Sequence, residues 1–200
     1  MALSIDSYVL GPAATNCYVV RADGAASDAI VIDPGTDELE LGDLRCAAIL
    51  ITHGDIDHIG GVADLAERTG APVYGPARDR MPPERMQWLP FRDYTVDVEL
   101  DGGETLDLAG LSLDVLAIPG HSRDHLAFAV GDALFSGDLL FANSVGRTDI
   151  AGGDWHALVE SARSLFDTLP PETTVYPGHG PATTLGDERD SNPFLAELRA

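Results

Sequence analysis

The chain has 200 residues, 44% of them hydrophobic and 22% charged, which suits one soluble globular domain over residues 1–200 and excludes a disordered or fibrous chain. Its 33 acidic and 12 basic residues leave a formal net charge of −21, so nucleic acid and membranes are poor partners and a small-molecule substrate is expected. Every basic residue is arginine, which removes a Schiff-base lysine and the lysine of a phosphate-binding loop from the possible chemistry.

From the N-terminus, the first residues carry neither a basic stretch nor a long apolar run, so a cytoplasmic location is expected. Short β-rich runs follow at 3–9, 16–21 and 29–32, the last ending in the turn Asp33-Pro34-Gly35. Residues 37–44 read as a helix, 47–51 as an apolar strand, and 60–68 as a helix with Val62, Leu65 and Ala66 at helical spacing. Residues 78–92 are locally basic and hold two methionines, which suits a substrate lid or a packing segment equally. Strands are expected at 105–108, 111–118, 126–130 and 133–135, then a helix near 155–169, a strand at 173–176 and a last helix from about Pro193. Two halves that each run from strands to helix imply two packed sheets with helices outside, an α+β arrangement. Cys17 and Cys46 match no disulfide framework or zinc-finger spacing and read as small buried hydrophobes.

Directly after the apolar strand comes Thr52-His53-Gly54-Asp55-Ile56-Asp57-His58, four metal-ligating side chains within six residues at a strand-to-helix turn. Three later segments repeat one pattern of strand end, glycine and ligand: Pro119-Gly120-His121, Ser136-Gly137-Asp138 and Pro177-Gly178-His179. A lone Gly-His is an ordinary surface feature, but four such loops at the ends of apolar strands describe a site. His53, Asp55, Asp57, His58, His121, Asp138 and His179 exceed the three or four donors one zinc needs, so two divalent ions sharing a bridging carboxylate are expected. His125, four residues after His121 and at the start of a strand, is open to a supporting or outer-ligand role beside such a site or to a purely structural one, whereas His156 reads as an ordinary helix-start residue. Arg147, in a glycine-containing loop, is a candidate for binding a substrate carboxylate or for pinning its own loop.

The order of these motifs resembles the metallo-β-lactamase superfamily. Thr15-Asn16-Cys17-Tyr18, Asp33-Pro34-Gly35, Gly146-Arg147-Thr148-Asp149 and Gly178-His179-Gly180-Pro181 resemble its small glyoxalase II-like (hydroxyacylglutathione hydrolase-like) members. The resemblance implies a four-layer αββα sandwich. It also implies a first metal held by His53, Asp55 and His121, a second held by Asp57, His58 and His179, and Asp138 bridging. The implied reaction is thioester hydrolysis, of the S-acylglutathione type or on a related small ester, by a metal-bound hydroxide that Asp57 helps to orient. Asp55 stands where that family usually has histidine, although flavodiiron proteins of the superfamily carry a carboxylate there. The extra negative charge and the oxygen donor shift the expectation for the two ions from zinc toward iron or manganese. The segment Gly146-Arg147-Thr148-Asp149 is shared with persulfide dioxygenases, which use a single iron, so an oxidoreductase is the alternative reading, and a lactone hydrolase another. The tail at 188–194 resembles the small members, which lack the helical extension used by larger glyoxalase II enzymes to grip glutathione.

Overall fold

A computed structural model describes residues 3–24, 26, 28–77 and 92–199. The first sheet comprises β1 (Ser4–Leu10), β2 (Thr15–Arg21), β3 (Asp28–Ile32), β4 (Arg45–Leu50), β5 (Val73–Pro76) and β6 (Val98–Leu100), hydrogen-bonded in that order. β1, β2 and β3 run antiparallel, and β3 to β6 run parallel. Between β4 and β5 lie the one-turn helix α1 (Ile56–Ile59) and α2 (Val62–Thr69). The second sheet uses β7 (Thr105–Leu108), β8 (Leu111–Ala117), β9 (Leu126–Val130) and β10 (Ala133–Gly137) as an antiparallel meander. After a small hairpin of β11 (Leu140–Phe141) and β12 (Ser144–Val145) and the helix α3 (Trp155–Thr168), β13 (Thr174–Pro177) joins β10 in parallel. β14 (Thr183–Thr184) closes the edge, followed by α4 (Leu185–Ser191) and a 3-10 helix over Pro193–Arg199.

Strand alternation sorts the core into three layers. Tyr18, Val20, Ile30, Ile32 and Leu50 of the first sheet meet Val115, Phe128 and Phe135 of the second between the sheets. The opposite face of β2, β3 and β4, with Val19, Val31 and Ile49, packs on Ile59, Val62 and Leu65 of α1 and α2. The outer face of the second sheet, with Ala127, Leu134 and Val175, packs on Leu158, Ala162 and Leu165 of α3 and on Leu185 and Leu195. The layers are therefore helix, sheet, sheet, helix, as the alternation of strands and amphipathic helices implied. α2 stops at Gly70, whose φ of +70° is the left-handed cap that glycine tolerates. α3 starts at Asp154, whose carboxylate accepts a hydrogen bond from the Ala157 N–H.

The helix expected at 37–44 is not formed. These residues make turns around Gly42, at φ +59°, and the Leu39 carbonyl accepts from Arg68 of α2 instead of from a helical N–H. A run of eight residues is too short to offset the cost of helix nucleation by itself, so burial of the Leu39 side chain wins. The locally basic segment falls on residues 78–91, outside those described. Arg92 at its end pairs with Asp64 and Glu67 of α2. No helix among the described residues is long and apolar enough to cross a membrane.

Candidate metal centre

All seven sequence-predicted ligands converge at one edge of the sandwich, each just past the C-terminal end of a strand. β4 delivers His53 and Asp55, and the single turn of α1 that follows delivers Asp57 and His58. β8, β10 and β13 deliver His121, Asp138 and His179. Two groups of ligand atoms, His53 with Asp55 and His121, and Asp57 with His58 and His179, each lie within 4.8 Å of one another. Asp138 lies between them, with Oδ2 at 3.8 Å from His121 Nε2 and 3.4 Å from His179 Nε2, and Oδ1 at 3.3 Å from His58 Nε2. His121 Nε2 to Asp55 Oδ2 is 3.1 Å and His179 Nε2 to Asp57 Oδ2 is 3.3 Å. Donors about 2.1 Å from one tetrahedral ion stand about 3.4 Å apart, so these separations are those of a coordination shell.

The residues around the cluster aim ring lone pairs inward. A carboxylate and a carbonyl can only accept, so His58 Nδ1–H donates to Asp33 Oδ2 at 2.8 Å and His121 Nδ1–H donates to the Arg147 carbonyl at 2.8 Å. The Thr52 hydroxyl donates to Asp33 and accepts from His53 Nδ1 at 3.0 Å. Each of these three rings thereby turns its Nε2 toward the centre, the orientation a metal ligand needs. His53 Nε2, His58 Nε2 and Asp138 Oδ1 are buried without a hydrogen-bond partner. Orphaned polar atoms of this kind are costly unless something else meets them, and the donor set fits a pair of divalent cations.

Charge in the cluster is finely balanced. Burial opposes ionisation of Asp57 and Asp138, but neighbouring histidines outweigh it and hold both well below the usual carboxylate range. Burial likewise disfavours charge on His58, yet Asp138 and Asp33 push its pKa well up. Hydrogen bonds to Asp138 and Asp57 raise His179 to about 10. Protons and metal cations therefore compete for the same ring nitrogens.

Glycines make this proximity possible. A Cβ on Gly178 would lie 2.1 Å from Asp138 Oδ1, and one on Gly35 would lie 1.8 Å from the Asp57 carbonyl. Asp33, at φ +52° beside Gly35, accepts the Thr52 N–H, the Thr52 hydroxyl and His58 Nδ1–H together. This support role was not legible in the sequence, where Asp33-Pro34-Gly35 reads as a turn. The same holds for Thr15, whose hydroxyl donates to Asp57 Oδ2 at 2.7 Å, and for buried Asp124, which accepts the Gly54 N–H. His125 lies next to the cluster: its ring stacks on His53 at 4.6 Å, and its Nε2 accepts the Asp138 N–H at 3.0 Å. Burial, then the neighbouring histidines, lower its pKa and keep it neutral. His156 is exposed at the start of α3. The Arg147 side chain borders the cleft and is held by Asp149 through two contacts of 2.8 and 2.9 Å.

An αββα sandwich with two His/Asp clusters joined by a shared carboxylate at the strand ends defines a dinuclear metal protein of the metallo-hydrolase class. Residues 10–179 match the metallo-beta-lactamase superfamily, and the chain belongs to it. It is 37% identical over 221 residues to an uncharacterised protein of Mycobacterium tuberculosis, covering 97% of this chain and 98% of that one. It is 33% identical to the hydroxyacylglutathione hydrolase GloC of Haemophilus influenzae, covering 90% and 92% of the two chains. Among solved structures, the BLEG-1 B3 metallo-beta-lactamase superimposes with a TM-score of 0.87 at 35% identity, covering 96% of this chain and 100% of that one. TTHA1623 in a di-iron-bound form gives 0.80 at 39%, covering 95% and 100%. ETHE1 from Myxococcus xanthus gives 0.82 at 30%, covering 97% and 85%.

Proposed function

We propose that the chain hydrolyses a thioester or related small ester of a carboxylic acid, with His53, Asp55 and His121 holding one divalent ion, Asp57, His58 and His179 a second, and Asp138 both. The position of Asp138 carries the reading: one buried carboxylate reaches ligand histidines of both groups at the floor of an open cleft of about 780 Å3. Two divalent ions there would supply a Lewis acid for the carbonyl oxygen and a water acidified toward neutral pH. The chain's own residues set up the rest. Thr15 donates to Asp57 Oδ2 and so fixes the carboxylate that would orient such a water. Asp33, Thr52 and the Arg147 carbonyl keep protons on the outer ring nitrogens, and His125 fixes the backbone that presents Asp138. Arg147 borders the cleft in which a substrate would lie. The likeness to GloC, a hydroxyacylglutathione hydrolase, supports thioester cleavage as the reaction type.

A second reading, an oxidoreductase on a single iron, draws on Asp55. That residue makes His53, Asp55 and His121 a set of two histidines and one carboxylate, the donor set of many non-haem iron oxygenases. One experiment separates the two. Metal-loaded protein is given a thioester without oxygen, and glutathione persulfide with oxygen, while thiol release and oxygen uptake are followed. Thiol release without oxygen supports the hydrolase, and oxygen uptake with the persulfide alone overturns it.

A further inference from the structure

We infer, resting on the hydrolase reading, that the cleft selects an uncharged thioester or ester with an apolar acyl group over an anionic glutathione conjugate. Its walls carry the argument. Leu10, Pro12 and Ala13, at the end of β1 and the turn to β2, line it together with Phe141, Val145 and Ile150, on and after the β11–β12 hairpin. Phe141 stands edge-on to the His179 ring at 5.9 Å, so the apolar wall continues to the edge of the metal cluster. An acyl chain bound against these residues loses water, and each methylene buried should raise kcat/KM about fourfold until the cleft is full.

Charge points the same way. The cleft is bordered by Asp37 as well as by the carboxylates of the cluster. Among the described residues, two divalent ions would be matched by Asp55, Asp57, Asp138 and one hydroxide, and Asp37 adds a further negative charge at the cleft. Arg147, which also borders the cleft, already has Nε and Nη2 on Asp149, so the pair is neutral toward a ligand. A glutathione conjugate brings two carboxylates and one ammonium, and both carboxylates need cationic or N–H partners to offset their lost hydration. Approach of such an anion is further slowed by the field of a chain with net charge −21.

The test uses metal-loaded protein and two substrates with the same acyl group, S-butanoyl-N-acetylcysteamine and S-butanoylglutathione, compared by thiol release. The neutral thioester should show at least tenfold higher kcat/KM, the gap should narrow in high salt, and acetyl, butanoyl and hexanoyl members should rise in steps of about 15-fold per two methylenes until the cleft is full. Calorimetric binding of the inert thioethers S-hexyl-N-acetylcysteamine and S-hexylglutathione is the second readout, with the neutral compound binding more tightly. Ala13→Arg, on an exposed turn position, should improve the glutathione compound relative to the neutral one by about fivefold in both assays. Equal or better turnover and binding of the glutathione compounds would overturn the inference. If neither thioester releases thiol, the hydrolase reading fails on its own, and the thioether affinities still decide whether the cleft prefers the neutral ligand.

Discussion

Asp33→Asn isolates the part of the metal centre that lies outside the ligands themselves. Asp33 is 2% exposed and its Oδ2 accepts from both the Thr52 hydroxyl and His58 Nδ1, while Oδ1 accepts the Thr52 N–H. Asparagine keeps the size, tolerates φ +52° and can retain the bond to the Thr52 N–H. Its amide NH2 then faces two donors. The His58 ring is forced to accept at Nδ1 and carry its proton on Nε2, the atom 3.3 Å from Asp138. Loss of an outer partner of this type costs about 10–100-fold in metal affinity, or about 1.4–2.7 kcal/mol. Stability should fall by about 2–3 kcal/mol, because two hydrogen bonds to an ionised acceptor are replaced by one weaker bond, and Tm by about 5–10 °C. The assay is competition of Zn2+ between the protein and a chromophoric chelator at a temperature where both proteins are folded. Phe128→Leu, in the core between the sheets, serves as a variant that loses stability without touching the site. Affinity of Asp33→Asn within twofold of the parent, or an equal loss in Phe128→Leu, would refute the reasoning.

Other expectations follow from the same geometry. His179→Ala should lower thioester hydrolysis at least a thousandfold with a Tm within a few degrees of the parent, and Asp138→Ala should also lower the bound metal measured by plasma emission; unchanged metal content in the latter would contradict the bridging role. Asp55→His places an imidazole beside His53 and His121, so protein expressed with equal zinc, iron and manganese should take up more zinc, and the rising limb of its pH-rate profile should move to lower pH. In the metal-free protein the His179 pKa is raised from about 6.5 to about 10, so its contribution to stability is fully present below pH 6.5 and is lost as pH rises toward 10. Denaturant unfolding of metal-free protein between pH 6 and 10 should show that decline, and a flat profile would count against the His179 contacts with Asp57 and Asp138.

The ligand loops were legible because each pairs a local signal with a physical need: an apolar strand, a glycine that lets the chain turn, and a side chain that would be out of place unless it bound something. The layered fold was legible for a similar reason, since residues 105–108 and 126–130 alternate or run apolar at strand length and 155–168 repeat at helical spacing. β5 and β6 were not, because Val73–Pro76 and Val98–Leu100 are too short to show a period and include glycine or few apolar residues. Pairing of β5 with β4, and of β6 with β5, makes strands of them. At 37–44 a helix is expected from the sequence, and burial of Leu39 with a turn at Gly42 overrides it. The supports of the site were hidden more deeply. Asp33 touches His58 only because β3 and β4 lie side by side in parallel, and Thr15 meets Asp57 only because the β1–β2 hairpin folds over the same edge. No local pattern in the sequence reports contacts that depend on strand order.

The central claim is a pair of ions acting together on a carboxylic thioester, and its most direct measurement is a metal titration of metal-free protein with hydrolysis of a thioester followed at each addition. The account predicts a rate that rises to its maximum at two equivalents of divalent metal per chain, with no oxygen consumed. A plateau at one equivalent, or turnover that needs oxygen, would contradict it.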